Sequence, residues 1–166
     1  MFDEKIRVPL FMIGSKINQC ISISKQVRLI DVFPTICEIV GIPKWEEKVD
    51  GISLYPLLEN KKMDDLIAYI ESTPAVVIET NNVIGIRTDK YKYFRNSKEL
   101  KKNVHLYDLE NDPYENNNIS KNNPAIIEKM ENLINNMKGN GVRLGNMITE
   151  EEEKKISEEL KKLGYM

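Results

Sequence analysis

The sequence holds one histidine, His105, and two cysteines, Cys20 and Cys37, in 166 residues. A zinc site draws three or four His, Cys or carboxylate ligands at close spacing, and no such cluster exists here. The two cysteines are far apart and read as reduced thiols. A Ser-His-Asp arrangement would have to use His105, which falls inside a predicted strand and reads as a strand or rim residue rather than a catalytic base. Long apolar runs are also lacking. None approaches the ~20 residues of a membrane-spanning helix. No charged n-region with an apolar h-region marks an export signal at this N-terminus. Any such signal would lie upstream of residue 1, so cellular location stays open. Neither sign of charge is in excess: 24 basic and 26 acidic residues give a net charge of −2. A nucleic-acid-binding surface concentrates Lys and Arg, so this composition argues against that class of partner.

What is present fits a globular protein, with 41% hydrophobic and 30% charged residues. The length suggests one domain, or one and a fraction. The chain opens "MFDEKIRVPLFMIG". Residues 6–13 are apolar except for Arg7 and Pro9, and the run stops at Gly14. So short and apolar a run predicts a strand covered on both faces, as in a parallel sheet. Such a strand needs hydrogen-bonding neighbours on both sides. The rest of the chain does not obviously supply them.

"RLIDVFPTICEIVGIP" predicts a short helix with Asp31 as N-cap. Pro34 stands at its third position, where the missing N–H costs nothing. Leu29, Phe33, Ile36, Cys37 and Val40 form the expected apolar face, and Gly41 with Pro43 ends the helix. "DGISLYPLLEN" repeats the grammar, with Ser53 as cap and Pro56 in the first turn. From residue 66 the period changes. "LIAYIES", "AVVIET", "VIGIRTD", "YKYFR" and "VHLYDLE" are short β-branched and aromatic segments parted by turn residues. The gaps are short, so neighbours should pair antiparallel. Asn123 and Pro124 open a further helix whose stripe, Ile126, Ile127, Met130, Leu133, Ile134 and Met137, should pack on that sheet until Gly139. After the "GNGVRLGN" connection a tail helix is expected over residues 150–163. Thr149 and Glu152 would form its capping box.

Chemistry-bearing motifs are few. "GNGVRLG" resembles a phosphate loop but follows a helix rather than a strand, so it reads as a linker. "DLENDPYE" gathers Asp108, Glu110, Asp112 and Glu115. A calcium loop would need Gly where Pro113 stands and Glu where Ile119 stands. A turn is the better reading, since Asp112-Pro113 initiates turns and Asp and Asn bond local backbone. "NIS" at Asn118 is a glycosylation triplet of little weight.

Five segments in order carry a resemblance: "IRVPLFMIG", "VRLIDVFPTICEIVGIP", "DGISLYPLLEN", "GIRTDKYKYFR" and "HLYDLENDPYENNNIS". Their series, covering about residues 4 to 120, resembles the C-terminal third of the sulfatases, hydrolases of the alkaline phosphatase superfamily. The shared patterns are R-[VE]-P, D-x-x-P-T, D-G-x-S-L-x-P-L-L, R-T-x-x-[YW]-K-[YL] and L-Y-D-L-x-x-D-P-x-E-x-x-N. The resemblance implies an incomplete α/β fold. Residues 1–62 would be a remnant of the catalytic domain, giving one strand and two short helices to a large mixed sheet. Residues 63–138 would form a four-stranded antiparallel sheet with a packed helix, and residues 139–166 a linker and tail helix.

The same resemblance implies sulfuric ester hydrolysis by the full-length enzyme. It would use a formylglycine made within C/S-x-P-x-R and a divalent cation, usually calcium. Neither Cys20 nor Cys37 lies in that motif, and no aspartate here falls on the family's metal-binding segments. No catalytic or metal residue is therefore assigned to this chain, and its substrate-binding residues stay unknown. The expected partner is an N-terminal catalytic portion, with this chain inactive alone and structural, forming a pocket rim. Two alternatives stand beside this. One is a non-catalytic binding or assembly module, self-associating through the exposed first strand. The other is part of a related phosphodiesterase or phosphonate hydrolase.

Overall fold

A computed structural model describes residues 2–17, 20–42, 49–72 and 82–140. The elements run α1 (Asp3–Ile6), a 3-10 turn (Leu29–Asp31), α2 (Val32–Val40), α3 (Tyr55–Leu58), β1 (Ala68–Ser72), β2 (Val83–Arg87), β3 (Tyr91–Asn96), β4 (His105–Asp108), a second 3-10 turn (Ser120–Asn122) and α4 (Pro124–Asn140).

The four strands form one antiparallel sheet in the order β1-β2-β3-β4. Period-2 alternation gives the sheet two unlike faces. Ile86, Tyr93 and Leu106 stand opposite one another in register. With Ile84 they meet Met130 and Ile134 of α4 in the main core. Ile126, Ile127, Leu133 and Met137 pack around it, so the whole expected stripe of α4 faces the sheet. The other face carries Arg87, Lys92 and Tyr107 in one row and Phe94 and His105 in the next. Residues 2–6 and the loop at Glu115 lie over this second face.

Both hairpin connections use the expected chemistry. Thr88 and Tyr91 close the tight turn, with backbone N–H to carbonyl at 2.9 Å and the Thr88 hydroxyl accepting from the Tyr91 amide at 2.9 Å. The outer edge of β4 is covered without a fifth strand. Asn118 accepts from the Leu106 amide and donates to the Val104 carbonyl, both at 3.1 Å. The Ile119 amide then donates to the Leu106 carbonyl at 2.9 Å. An edge so bonded offers no template for another chain. It also employs both ends of the Asn118 carboxamide.

One expectation changes, and two segments expected of a larger sheet stand largely exposed. Residues 6–13 form no strand among the described residues. Ile6 closes α1, the Arg7 amide returns to the Asp3 carbonyl at 2.8 Å, and the apolar run that follows has no ladder partner. Phe11 is 84% exposed and Ile13 98%. A strand exists only where neighbours take its backbone groups. The apolar face expected of α2 does not meet this chain's core. Leu29, Phe33, Ile36 and Val40 are exposed, and the helix buries only Thr35. The changed expectation is that of Asp31, which does not cap α2. Its carboxylate is spent elsewhere, as described below. The predicted "AVVIET" strand and the tail helix lie outside the described residues.

The helix ends as expected at Gly41, whose positive φ of 80° lets its amide and that of Ile42 reach back into the last turn. A small second core of Leu54, Leu57 and Leu66, with Val27 and Met63, holds α3 against the segments around residues 25–28 and 63–66.

The two kinds of apolar residue should answer differently to truncation. Ile134→Ala, at a fully buried site, is expected to cost about 2–5 kcal/mol in urea denaturation. Ile36→Ala, on the exposed face, should stay within about 0.5 kcal/mol. A comparable loss at both sites would contradict the placement of the core.

Candidate functional site

The charged residues of the motifs gather into three clusters, and each joins parts of the chain distant in sequence. The first links the D-x-x-P-T and D-G-x-S-L segments. Asp31 and Thr35 are both fully buried. The Asp31 carboxylate accepts from the Arg28 amide (3.1 Å), from Arg28 Nε (3.0 Å) and Nη2 (2.7 Å), and from the Ile52 amide (3.0 Å). Thr35 donates its hydroxyl to the Asp31 carbonyl at 2.5 Å and accepts from the Leu54 amide at 2.8 Å. The two segments approach so closely that a Cβ on Gly51 would lie 1.9 Å from the Ile30 carbonyl oxygen. Glycine is required there by space alone.

The second cluster occupies the mixed face of the sheet. The Lys92 side chain is wholly buried, and its Nζ lies 2.6 Å from Glu115 Oε1 and 2.9 Å from Asp3 Oδ1. Arg87 pairs with Asp3 Oδ2 at 2.9 Å and also donates to the Gln26 carboxamide oxygen. Glu115 Oε2 accepts from the Asp3 backbone amide at 2.7 Å. Glu115 has a φ of +57°, a conformation that is strained for a non-glycine residue. Burial acts to raise the Asp3 pKa, but hydrogen bonds and charge from Arg87 and Lys92 outweigh it and hold the carboxyl below its ordinary value.

The third cluster ties the sheet to α4. Glu131 accepts from Tyr93 Oη and from Arg95 Nε, both at 2.5 Å, and from Arg95 Nη2 at 2.8 Å. Burial pushes the Glu131 pKa up, yet these donors bring it below the ordinary value. Burial, followed by the neighbouring carboxylate, raises the Tyr93 phenol.

His105 stacks on Phe94, ring centroids 4.6 Å apart, with Nδ1 3.0 Å from the Tyr107 hydroxyl. Burial lowers its pKa. It packs at the sheet surface as a strand residue does. The carboxylates of "DLENDPYE" go separate ways. Asp108 accepts from the amides of Glu110 and Asn111, and Asp112 from those of Asn116 and Asn117. Glu110 pairs with Lys90, and Glu115 turns inward to Lys92. Among the described residues no three His, Cys, Asp or Glu side chains converge as metal ligands would. Cys20 and Cys37 are both free thiols.

An open groove of ≈ 1690 Å³ runs between residues 5–10, residues 23–30 and β1. Arg7, Lys25 and Arg28 supply cations along it, and Glu71 and Asp89 supply anions. Among the described residues it contains no nucleophile held by a base. The three clusters hold distant segments of the chain in place. Sequence reasoning missed Asp3, Gln26, Lys92 and Glu131 as cluster members. The available signal was a lysine between two tyrosines in a strand, at a position the pleat turns inward.

A family model described as N-sulphoglucosamine sulphohydrolase, C-terminal, matches residues 1–144. Arylsulfatase K of Rattus norvegicus is 28% identical over 137 residues, which cover 79% of this chain and 24% of that protein. The Ulvan-active sulfatase of Formosa agariphila is 29% identical over 170 residues, 81% of this chain and 33% of that protein. Among solved structures, that of a 2-O GAG sulfatase superposes with a TM-score of 0.51 at 26% identity, covering 64% of this chain and 23% of that one. The chain thus spans about a quarter to a third of the length of these curated relatives.

The second and third clusters fix an acid limit. Asp3 and Glu131 both have folded-state pKa values below their unfolded ones. Their stabilisation is therefore full above an unfolded value near 4 and lost as pH falls through the lower folded values. Stability measured by denaturation should drop as pH falls below about 4. The double substitution Asp3→Asn and Glu131→Gln should be less stable at neutral pH and show a flatter acid limb. An unchanged acid limb would contradict the assignment.

Proposed function

This chain belongs to the N-sulphoglucosamine sulphohydrolase C-terminal family, and from that membership we propose that it is the C-terminal portion of an enzyme that hydrolyses a sulfuric ester. In this reading residues 1–62 complete a larger α/β catalytic domain, residues 63–138 form the small sheet subdomain, and residues 139–166 are linker and tail. The observation that carries the proposal is the pairing of a sulfatase match with an apolar surface that the described residues leave exposed. Phe11, Ile13, Leu29, Ile36 and Val40 are exposed in a chain whose sheet and α4 are otherwise closed around a buried core. Exposed apolar area of this kind marks an interaction surface. The catalytic portion would cover it, and the sheet subdomain would form one rim of the substrate pocket.

The chemistry itself belongs, in this proposal, to sequence outside this chain. Sulfatases of this family imply a formylglycine and a divalent cation, calcium above others. The residues here do not fit either group: the free cysteines lack the C/S-x-P-x-R context, and no ligand set converges among the described residues. No step is assigned to them. Two relatives carry a substrate in their names, ulvan for one and a GAG with 2-O sulfation for the other. A sulfate ester is the bond these names suggest in common.

The test compares the purified 166-residue chain with a polypeptide that adds an upstream catalytic portion. Aryl sulfate hydrolysis is expected from the longer protein and none from this chain. Hydrolysis by this chain above a mock-purified control would overturn the assignment of the chemistry. A longer protein that cleaves phosphodiesters and leaves sulfate esters intact would overturn the reaction.

A further inference from the structure

The mixed face of the sheet is covered by a segment that is not part of either half of the core. Residues 2–7 include no buried residue, and none of them belongs to a core cluster. They form no ladder with the sheet. Asp3 holds them by polar contacts, its carboxylate on Lys92 and Arg87 and its amide on Glu115. Two aromatic contacts join these, Phe2 standing edge-on to Phe94 and tilted against Tyr107, with centroids 6.0 Å apart in both pairs. On the opposite face, Ile84, Ile86, Tyr93 and Leu106 pack against α4 without any contribution from this segment.

We propose that residues 2–7 are a detachable strap, latched by Asp3 to Lys92, Arg87 and Glu115, whose opening releases the following apolar run without unfolding the sheet. Three features favour a latch over a fixed part of the core. Opening the strap uncovers the Phe94 and Tyr107 rings but leaves the core between the sheet and α4 closed, so its free energy lies below that of global unfolding. The receiving side is built to stay in place, because Lys92 keeps Glu115 when Asp3 leaves. The strain at Glu115, whose φ is positive, is held by the contacts its carboxylate makes to Lys92 and to the strap.

The strap leads directly into Val8, Leu10, Phe11 and Ile13, all exposed. A partner that grips this run in the strap-closed position must, by linkage, also tighten the latch. Lys92, Arg87 and Glu115 are then positioning residues for whatever residues 8–13 meet. That coupling rests on the proposed contact with a larger domain. The latch itself does not, and the experiment below reads the latch alone.

The test is amide hydrogen exchange followed by NMR on the full 166-residue chain. The amides of Asp3, Lys5 and Arg7 report the strap, and those of β2 and β3 report the sheet. In the unaltered chain the strap should exchange faster than the sheet by a separate opening. Asp3→Asn should speed the strap amides by about tenfold or more, since a hydrogen bond to a charged group is lost, while the sheet amides stay slower than the strap amides. Phe2→Ala keeps every charge and serves if Asp3→Asn does not fold. It too should accelerate the strap and leave the sheet the slower of the two. Strap and sheet amides exchanging at one common rate would overturn the proposal. So would strap amides that neither substitution accelerates.

Discussion

A lysine with no exposed side-chain surface sits in the middle of a four-stranded sheet, and the architecture is arranged around that charge. An ammonium removed from water costs several kcal/mol unless close partners replace its hydration. Lys92 meets the requirement with two carboxylates drawn from opposite ends of the described chain, Asp3 and Glu115. The pairing decides several things at once. It holds α1 over the mixed face. It brings the D-P-x-E turn inward and sustains a positive φ at Glu115. It places Arg87 beside Asp3, and Arg87 in turn reaches Gln26 and so the segment that runs beside residues 63–67. The sheet therefore has an apolar face for α4 and an ionic face for the N-terminal region.

The same logic recurs on a smaller scale between the two helix-forming motifs. Asp31 and Thr35 join α2 to the segment that leads into α3 by a set of hydrogen bonds, and Gly51 allows the approach. Such bonds are directional, so they fix geometry where oily contacts would tolerate sliding. The apolar side of α2 is left outward. The polar side of that helix faces its own chain and the apolar side stands exposed, in a chain that spans about a quarter to a third of the length of its sulfatase relatives.

The small sheet and α4 were legible because their signals are local. The β-branched and aromatic make-up of the strand segments and the stripe from Ile126 to Met137 each speak within one element. The helix stop at Gly41 was legible for the same reason. The fate of Asp31 was not, because a helix cap and a buried clamp look alike until the chain around residue 52 is placed beside it. Residues 6–13 form no ladder among the described residues, because a ladder needs neighbours, and sequence periodicity cannot show whether they are there. Asp3, Lys92 and Glu115 were unreadable as a group, being about ninety and twenty residues apart. The family resemblance marked the lysine and the glutamate as motif members, but only the fold shows that they bind each other.

The central claim, that Lys92 is held in the sheet by its two carboxylates, is tested most directly by a mutant cycle on folding free energy. The variants are Asp3→Asn, Glu115→Gln and Lys92→Met singly, and all three together. Removing one anion leaves a buried charge under-compensated, so Glu115→Gln alone should be costly. Removing the lysine as well cancels that penalty. The triple variant should be less destabilised than the sum of its parts by at least about 1 kcal/mol. Losses that simply add would show that the lysine and the carboxylates act independently, and the account would be wrong.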